Sequence, residues 1–207
     1  MGNIVTDILA PKASLELKIG LYFGTYNPVH IGHLAIANYM VEYTGIDQLW
    51  FVVSPHNPHK KKTNLLDDYQ RLEMVHRAVD YDSRFRVSNI EFTLPKPSYT
   101  VDTLAYLKDK FPLHEFKILM GSDNLENLHK WKNYEIIIEN YGIIVYPRPG
   151  FDKTKYTPHP NILLTDAPLM DISSTFIRKA IRQGKNMRHY LPCKTWEYLE
   201  EMNFYKK

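Results

Sequence analysis

The chain has 207 residues, of which 44% are hydrophobic and 24% charged, and its formal net charge is +3. This length is sufficient to bury a full core, and no Ser/Gly/Pro-rich linker divides the chain. Such a small positive charge does not by itself indicate nucleic-acid binding. The single cysteine, Cys193, excludes an internal disulfide framework, and we expect it to pack in the protein rather than act as a nucleophile.

We predict that residues 1–17 form an N-terminal extension and that residues 18–207 form one domain. The extension lacks a long apolar run, and it has neither the charged start nor the cleavage signal of a secretory peptide. We therefore expect a cytoplasmic protein with no membrane partner and no nucleic-acid partner. A role of the extension in homo-oligomerisation, or as a lid, stays open.

Apolar and amphipathic segments alternate along the chain, which favours an α/β fold with a parallel sheet and helices on its faces. The predicted strands are residues 18–24, 48–54, 85–92, 115–121, 141–146 and 161–165. The predicted helices are residues 31–43, 67–80, 100–110, 174–183 and 194–202.

The first strand ends in a glycine turn, and two histidines, His30 and His33, follow at the start of the first helix. Residues three apart share a face of a helix, so both imidazoles can point towards the end where free backbone N–H groups attract anions. Gly32 between them lets a flat base or a phosphate approach the backbone closely. Each histidine alone could be a helix cap or a packed residue, but the pair in this frame indicates a phosphate site.

The densest basic stretch, residues 55–62, follows the second predicted strand, at the carboxyl edge where open parallel sheets bind ligands. Lys60 could reach the phosphate of an acceptor, or it could belong to a solvated charged loop. On the next helix, Arg71 is interpreted as a surface or interface charge.

Three residues in the middle of the chain could bind an acceptor or a nucleotide. A proline-led turn places Thr100 to cap the next helix, where an anion could also dock. After the fourth strand, Asp123 follows Gly121 and could accept hydrogen bonds from ribose hydroxyls or cap a helix. Trp131 could cover the core or stack on an electron-poor pyridine ring.

Near the end of the chain, residues 171–178 read Asp-Ile-Ser-Ser-Thr-Phe-Ile-Arg and open a helix that ends near Gly184, which suits a C-cap. Either serine can cap this helix, while Thr175 and Arg178 share a face of its first turn. Hydroxyl, guanidinium and backbone amides could then converge on phosphate oxygens. The alternative is an ordinary N-cap followed by a solvated arginine.

These motifs follow one another in the order of a known family. They are Gly-x-x-Asn-Pro-x-His-x-Gly-His at 24–33, Pro-His-Lys at 58–60, Pro-Ser-Tyr-Thr at 97–100, Gly-Ser-Asp at 121–123 with Trp131, Arg-Pro-Gly at 148–150, and Ile-Ser-Ser-Thr-x-Ile-Arg at 172–178. Over residues 18–205 the chain resembles the bacterial nicotinate-nucleotide adenylyltransferases of the nucleotidylyltransferase superfamily. The resemblance implies a Rossmann-like parallel sheet with helices on both faces and a C-terminal helical segment.

The resemblance also implies a set of site residues. Those around ATP would be Gly24, Thr25, Tyr26, His30, Gly32, His33, Gly121, Asp123, Ser174, Thr175 and Arg178, and those around nicotinate mononucleotide would be Lys60, Thr100 and Trp131. His30, His33 and Arg178 would be the catalytic residues. The chain departs from the family pattern at Tyr26, where phenylalanine is usual and the added hydroxyl needs a partner, and at Asn27, where many members have aspartate.

The implied reaction is a direct one. A 5′-phosphate oxygen of nicotinate mononucleotide attacks the α-phosphorus of ATP in line, pyrophosphate leaves, and no covalent enzyme intermediate is expected. We expect Mg²⁺ to be required and to arrive ligated mainly by ATP phosphates and water, because the sequence has no compact Asp/Glu/His cluster typical of a metal cage. The alternatives are an adenylyltransferase for nicotinamide mononucleotide or phosphopantetheine, and a non-catalytic nucleotide sensor.

Overall fold

Six strands form one sheet in the computed structural model, which describes residues 16–55, 65–152 and 158–206. The strands are β1 (Lys18–Gly24), β2 (Gln48–Val53), β3 (Phe85–Ser88), β4 (Glu115–Gly121), β5 (Ile143–Tyr146) and β6 (Ile162–Leu164). Their order is β3-β2-β1-β4-β5-β6, and every neighbouring pair is parallel. The first strand, β1, lies in the middle of the sheet, with β2 and β3 on one side and β4, β5 and β6 on the other. The strand order therefore reverses between β1 and β4, and their carboxyl ends flank the crevice where such sheets bind ligands.

The described ranges contain seven α-helices. They are α1 (Ile31–Tyr43), α2 (Asp68–Val79), α3 (Thr100–Lys110), α4 (Ser122–Glu126), α5 (Tyr134–Asn140), α6 (Ser174–Arg182) and α7 (Cys193–Glu201). Short 3-10 helices occupy Ile90–Phe92, Leu128–Lys130 and Arg188–Tyr190. No helix in these ranges is both long enough and apolar enough to cross a membrane.

Successive side chains of a strand point to opposite faces of the sheet. Because the central strands are apolar at nearly every position, both faces of the sheet are apolar. In β2, Phe51 packs under α1 and α2, whereas its neighbours Trp50 and Val52 pack under α3 and α5. A third cluster, centred on Ile177 and Leu199, joins α6 to α7 and to the end of the chain. The predicted α/β class, with helices on both faces and a C-terminal helical segment, is confirmed.

The structure differs from the prediction in two segments, for local reasons. The strand predicted at 85–92 ends at Ser88, whose hydroxyl accepts the N–H of Ile90 and so starts the 3-10 helix instead of a continued ladder. Helix α5 was not predicted, because its three consecutive isoleucines favour a strand. Packing of Ile137, which is 1% exposed, overrides that preference.

Two side chains also take unexpected positions. Tyr99, and not Thr100, is the N-cap of α3, and Thr100 is the first helical residue. The packing role predicted for Cys193 is wrong. The residue opens α7 as an exposed free thiol whose sulfur lies 3.3 Å from a carboxylate oxygen of Glu197.

Candidate active site

A pocket with a volume of about 330 Å³ lies at the carboxyl ends of β1 and β5 and against the start of α6. Its lining consists of Thr25, Asn27, His30, His33, Leu65, Arg148, Ile172, Ser173, Ser174, Thr175 and Arg178. Within the described part of the chain, this lining contains two arginines, two histidines and several hydroxyl groups but no carboxylate. Such a set of hydrogen-bond donors suits a polyanion such as a phosphate chain.

The two histidines lie against each other at the start of α1. Their ring centroids are 3.7 Å apart with an angle of 31° between the planes, so both point the same way, as the sequence predicts. The backbone N–H of His30 donates to Nδ1 of His33 at 3.1 Å. Neutral His33 therefore carries its proton on Nε2, where it can donate a hydrogen bond.

Burial keeps both imidazoles neutral. It lowers the pKa of His30 to about 4, with a smaller contribution from the Arg148 guanidinium. The pKa of His33 is also lowered well below its usual range, first by burial and then by His30 and Arg148. At neutral pH the pair is therefore uncharged and can offer hydrogen bonds only, while the positive charge of the pocket comes from its arginines.

Helix α6 docks directly on the turn that precedes the histidines. Arg178 donates to the carbonyl of Asn27 at 2.7 Å, and the hydroxyl of Ser174 donates to the carbonyl of Pro28 at 2.8 Å. A second guanidinium nitrogen of Arg178 donates to the hydroxyl of Thr175 at 3.2 Å. Two motifs that lie about 150 residues apart in sequence thus form one wall of the pocket, which we call the phosphate half: His30, His33, Ser174, Thr175 and Arg178.

The N-terminus of α6 adds backbone donors to the phosphate half. Ser173 is the N-cap, and its hydroxyl accepts the N–H of Phe176 at 3.2 Å. This confirms one of the two predicted caps and frees Ser174 for its contact with Pro28. After the helix ends, Gly184 adopts a φ of +74°, in agreement with the predicted glycine C-cap.

Three of the residues predicted to surround ATP do not belong to the lining of this pocket. A Cβ on Gly32 would lie 3.1 Å from Nδ1 of His30, so the missing side chain makes room for the imidazole. The ring of Tyr26 is only 2% exposed and folds back onto Gly24, where a Cβ would lie 2.8 Å from it. The extra hydroxyl of Tyr26 donates to the carbonyl of Tyr22. Thr25, by contrast, is exposed and lines the pocket as predicted.

The segment after β4 contacts Arg148, which lines the pocket. A Cβ on Gly121 would collide with Asp123 at 2.4 Å, so the glycine permits this carboxylate to fold over the strand end. Asp123 is exposed in the first turn of α4, and its Oδ1 lies 3.8 Å from Nε of Arg148. Arg148 follows β5, lines the pocket and was not assigned a role by the sequence analysis. Its position just after a strand, at the carboxyl edge, is the signal that could have identified it.

The interpretation of Arg71 as a surface charge is wrong, because its side chain is fully buried. One guanidinium nitrogen donates to the carbonyls of Thr25 at 2.5 Å and of Ser54 at 2.9 Å, and another pairs with Asp68. Arg71 therefore joins the carboxyl ends of β1 and β2 from behind the pocket. A planar group with several donors can do this, whereas the point charge of a lysine cannot.

Two of the predicted acceptor-binding residues lie near each other on exposed elements. Lys132, next to Trp131, pairs with Asp102 of α3 at 3.0 Å and lies 4.6 Å from the ring of Tyr99, next to Thr100. Neither Thr100 nor Trp131 belongs to the lining of the pocket, and we call the region around them the acceptor half after its predicted role. Trp131 is half-buried against the core, and Lys60 lies outside the described residues.

Comparison with known proteins identifies the family. Residues 21–180 match the cytidylyltransferase-like family model. A Flavobacterium johnsoniae protein named "Probable nicotinate-nucleotide adenylyltransferase" is 57% identical over 193 residues, which cover 92% of this chain and 100% of the relative. The chain belongs to the nicotinate-nucleotide adenylyltransferase family. A Christiangramia forsetii protein with the same name is 54% identical, with coverage of 93% and 100%.

Solved structures of nicotinic acid mononucleotide adenylyltransferase share this fold. The Plasmodium falciparum enzyme complexed with NaAD matches with a TM-score of 0.75 and 19% identity, covering 92% of this chain and 98% of that chain. The same enzyme complexed with APC gives a TM-score of 0.74 and 18% identity, with the same coverage. The Rossmann-like sheet expected for a nicotinate-nucleotide adenylyltransferase is therefore confirmed.

Proposed function

We propose that the chain transfers the adenylyl group of ATP to nicotinate mononucleotide, giving nicotinate adenine dinucleotide and pyrophosphate, a step of NAD biosynthesis. The observation that carries the proposal is the direct docking of α6 on the turn before the histidines, around a pocket without carboxylates. The high identity to full-length relatives of that name supports the choice of acceptor. We also propose a cytoplasmic location, which the single cysteine favours.

In this proposal the phosphate half binds the triphosphate of ATP. Arg178 and the N-terminus of α6 contact one side of the phosphate chain, and the N–H groups of His30 and His33 contact the other. Arg148 adds a second guanidinium at the edge of the pocket. Fixed donors of this kind stabilise the charge that develops on the α-phosphate and on the leaving pyrophosphate.

Magnesium enters this scheme as part of the substrate, Mg-ATP. Within residues 16–55, 65–152 and 158–206, no three His, Cys, Asp or Glu side chains are grouped closely enough to hold a metal ion. The pocket lining offers hydroxyl and N–H donors rather than carboxylate oxygens, which are the ligands that Mg²⁺ prefers. The protein would thus hold the phosphates and leave the ion to phosphate and water ligands.

The acceptor would approach from the acceptor half. Trp131 can stack on the pyridine ring, and the N-terminus of α3 at Thr100 can receive an anionic group of the nucleotide. The 5′-phosphate would then attack the α-phosphorus in line, with alignment of the two substrates as the main contribution to the rate.

The proposal is tested with purified protein, Mg-ATP and one acceptor at a time: nicotinate mononucleotide, nicotinamide mononucleotide or phosphopantetheine. Pyrophosphate and the dinucleotide are measured. We expect strong turnover with the nicotinate form. Preference for another acceptor would keep the reaction and change the acceptor that we assign. ATP binding without release of pyrophosphate in the presence of any acceptor would favour a nucleotide sensor.

A further inference from the structure

The end of the described chain contacts the turn that shapes the pocket. Tyr205 follows α7, is 8% exposed, and donates its hydroxyl to Oδ1 of Asn27 at 2.6 Å across 178 positions of sequence. Its φ of +63° is uncommon for a residue with a bulky side chain and persists only where the surroundings hold it. Packing of Phe204 and Leu199 in the C-terminal cluster supplies that support.

Asn27 connects this contact to the phosphate half. Its side-chain oxygen also accepts the N–H of Leu66 at 3.4 Å, and its main-chain carbonyl accepts from Arg178 at 2.7 Å. The carbonyl and the side chain belong to one residue, so holding the side chain limits the rotation that would move the carbonyl. The position of the Arg178 guanidinium therefore depends on how firmly Asn27 is held.

We propose that Tyr205 is a positioning residue for adenylyl transfer, which holds Asn27 and through it the guanidinium of Arg178. This inference rests on the proposed function, because it assigns the end of the chain a role in the same pocket. It gives a role to the hydroxyl group that is buried after α7.

The protonation state of Tyr205 fits this role. Burial raises the pKa of its hydroxyl, against smaller opposite contributions from Arg178 and Arg71. The group thus stays a neutral donor over the pH range in which the protein would work. A neutral donor suits Asn27, whose amide oxygen carries no charge.

The first test compares Tyr205→Phe with Tyr198→Phe. The first variant removes only the hydroxyl at the turn, and the second removes one from α7, where the ring contacts Arg77 and Phe204. We expect Tyr205→Phe to lower kcat/KM for ATP by about fivefold to tenfold, as for loss of one buried hydrogen bond. Tyr198→Phe should stay within about twofold. An unchanged kcat/KM in Tyr205→Phe would overturn the proposal.

A double-mutant cycle separates positioning from a general structural role. If Tyr205 acts through Arg178, adding Tyr205→Phe to an Arg178→Ala variant should change kcat/KM by less than about twofold, because the effects are not independent. Effects that multiply would overturn the proposal. Thermal unfolding of each variant fixes an assay temperature at which all are folded.

The same cycle measured on the Kd for Mg-ATP distinguishes the two proposals. If the wild-type protein makes no dinucleotide from any acceptor, the proposed function fails. Non-additive effects on the Kd would still support the Tyr205 contact, and additive effects would overturn it.

Discussion

The phosphate half comes from two segments that lie far apart in sequence, whereas the acceptor half comes from the middle of the chain and lies outside the pocket lining. Ser174 and Arg178 donate short hydrogen bonds to the carbonyls of Pro28 and Asn27, in the turn that precedes the buried His30. Trp131 and Thr100 lie on short or exposed elements joined by a surface ion pair between Lys132 and Asp102. The side chains of the phosphate half are thus held by more fixed contacts than those of the acceptor half, which suits the charge stabilisation that we propose for it.

The largest effect should come from removing the support behind the phosphate half. Arg71→Met removes the donor to two strand-end carbonyls and the ion pair with Asp68, and we expect the free energy of unfolding to fall by about 3–5 kcal/mol. Arg77→Met, on the same helix, removes an exposed pair with Glu73 and should cost about 1 kcal/mol or less. Urea unfolding measures both. Equal losses in the two variants would contradict a special role for Arg71.

The next largest effect should be on catalysis. Arg178→Lys keeps the charge but loses the planar pair of donors that contact Asn27 and Thr175. We expect kcat to fall by about 100-fold, within the range seen when one transition-state donor is lost. Arg182→Lys, one turn along α6, is the control and should retain kcat. Similar kcat values in both variants would remove Arg178 from the catalytic residues.

The burial of His30 predicts a pH dependence of the free energy of unfolding. Because the pKa of His30 is about 4 when folded and about 6.5 when unfolded, the unfolded chain binds the proton first as pH falls. Stability should therefore decrease between pH 7 and pH 5, by about 2 kcal/mol for this group. His30→Asn should show a smaller decrease in urea unfolding at the two pH values. An equal decrease would show that His30 already titrates normally in the folded protein.

The smallest effect should be confined to the acceptor half. Trp131→Leu keeps apolar bulk but removes the stacking surface, so KM for nicotinate mononucleotide should rise about tenfold. KM for ATP should change by less than about twofold. Trp196→Leu on α7 is the matched control, and steady-state kinetics with each substrate varied in turn measures the effect. Equal increases in both KM values would show that the two halves are not separable.

The parts of the site that sequence predicted are those whose signal is local. The spacing of His30 and His33, and of Thr175 and Arg178, places each pair on one helix face wherever the helix packs. Sequence also marked the carboxyl edge of the sheet, because an alternating pattern of strands and helices has few parallel arrangements.

The residues whose roles the sequence analysis missed form contacts with residues that are far away in sequence. Arg71 binds the carbonyl of Thr25 across 46 positions, and Tyr205 binds Asn27 across 178. No local pattern distinguishes such residues from a surface arginine or a frayed end, because their roles depend on which strands become neighbours. Gly32 shows the converse. Its small size was read as space for a ligand, and the structure adds a contact that the sequence does not reveal, because a Cβ there would lie 3.1 Å from Nδ1 of His30.

The most direct test of the account is turnover by His33→Ala with saturating Mg-ATP and nicotinate mononucleotide, beside His189→Ala as a histidine control on the exposed 3-10 helix Arg188–Tyr190. If the phosphate half performs the transfer, kcat of His33→Ala should fall by about 100-fold or more while thermal unfolding stays cooperative. His189→Ala should match the wild type. Near-normal turnover by folded His33→Ala would contradict the assignment of adenylyl transfer to this pocket.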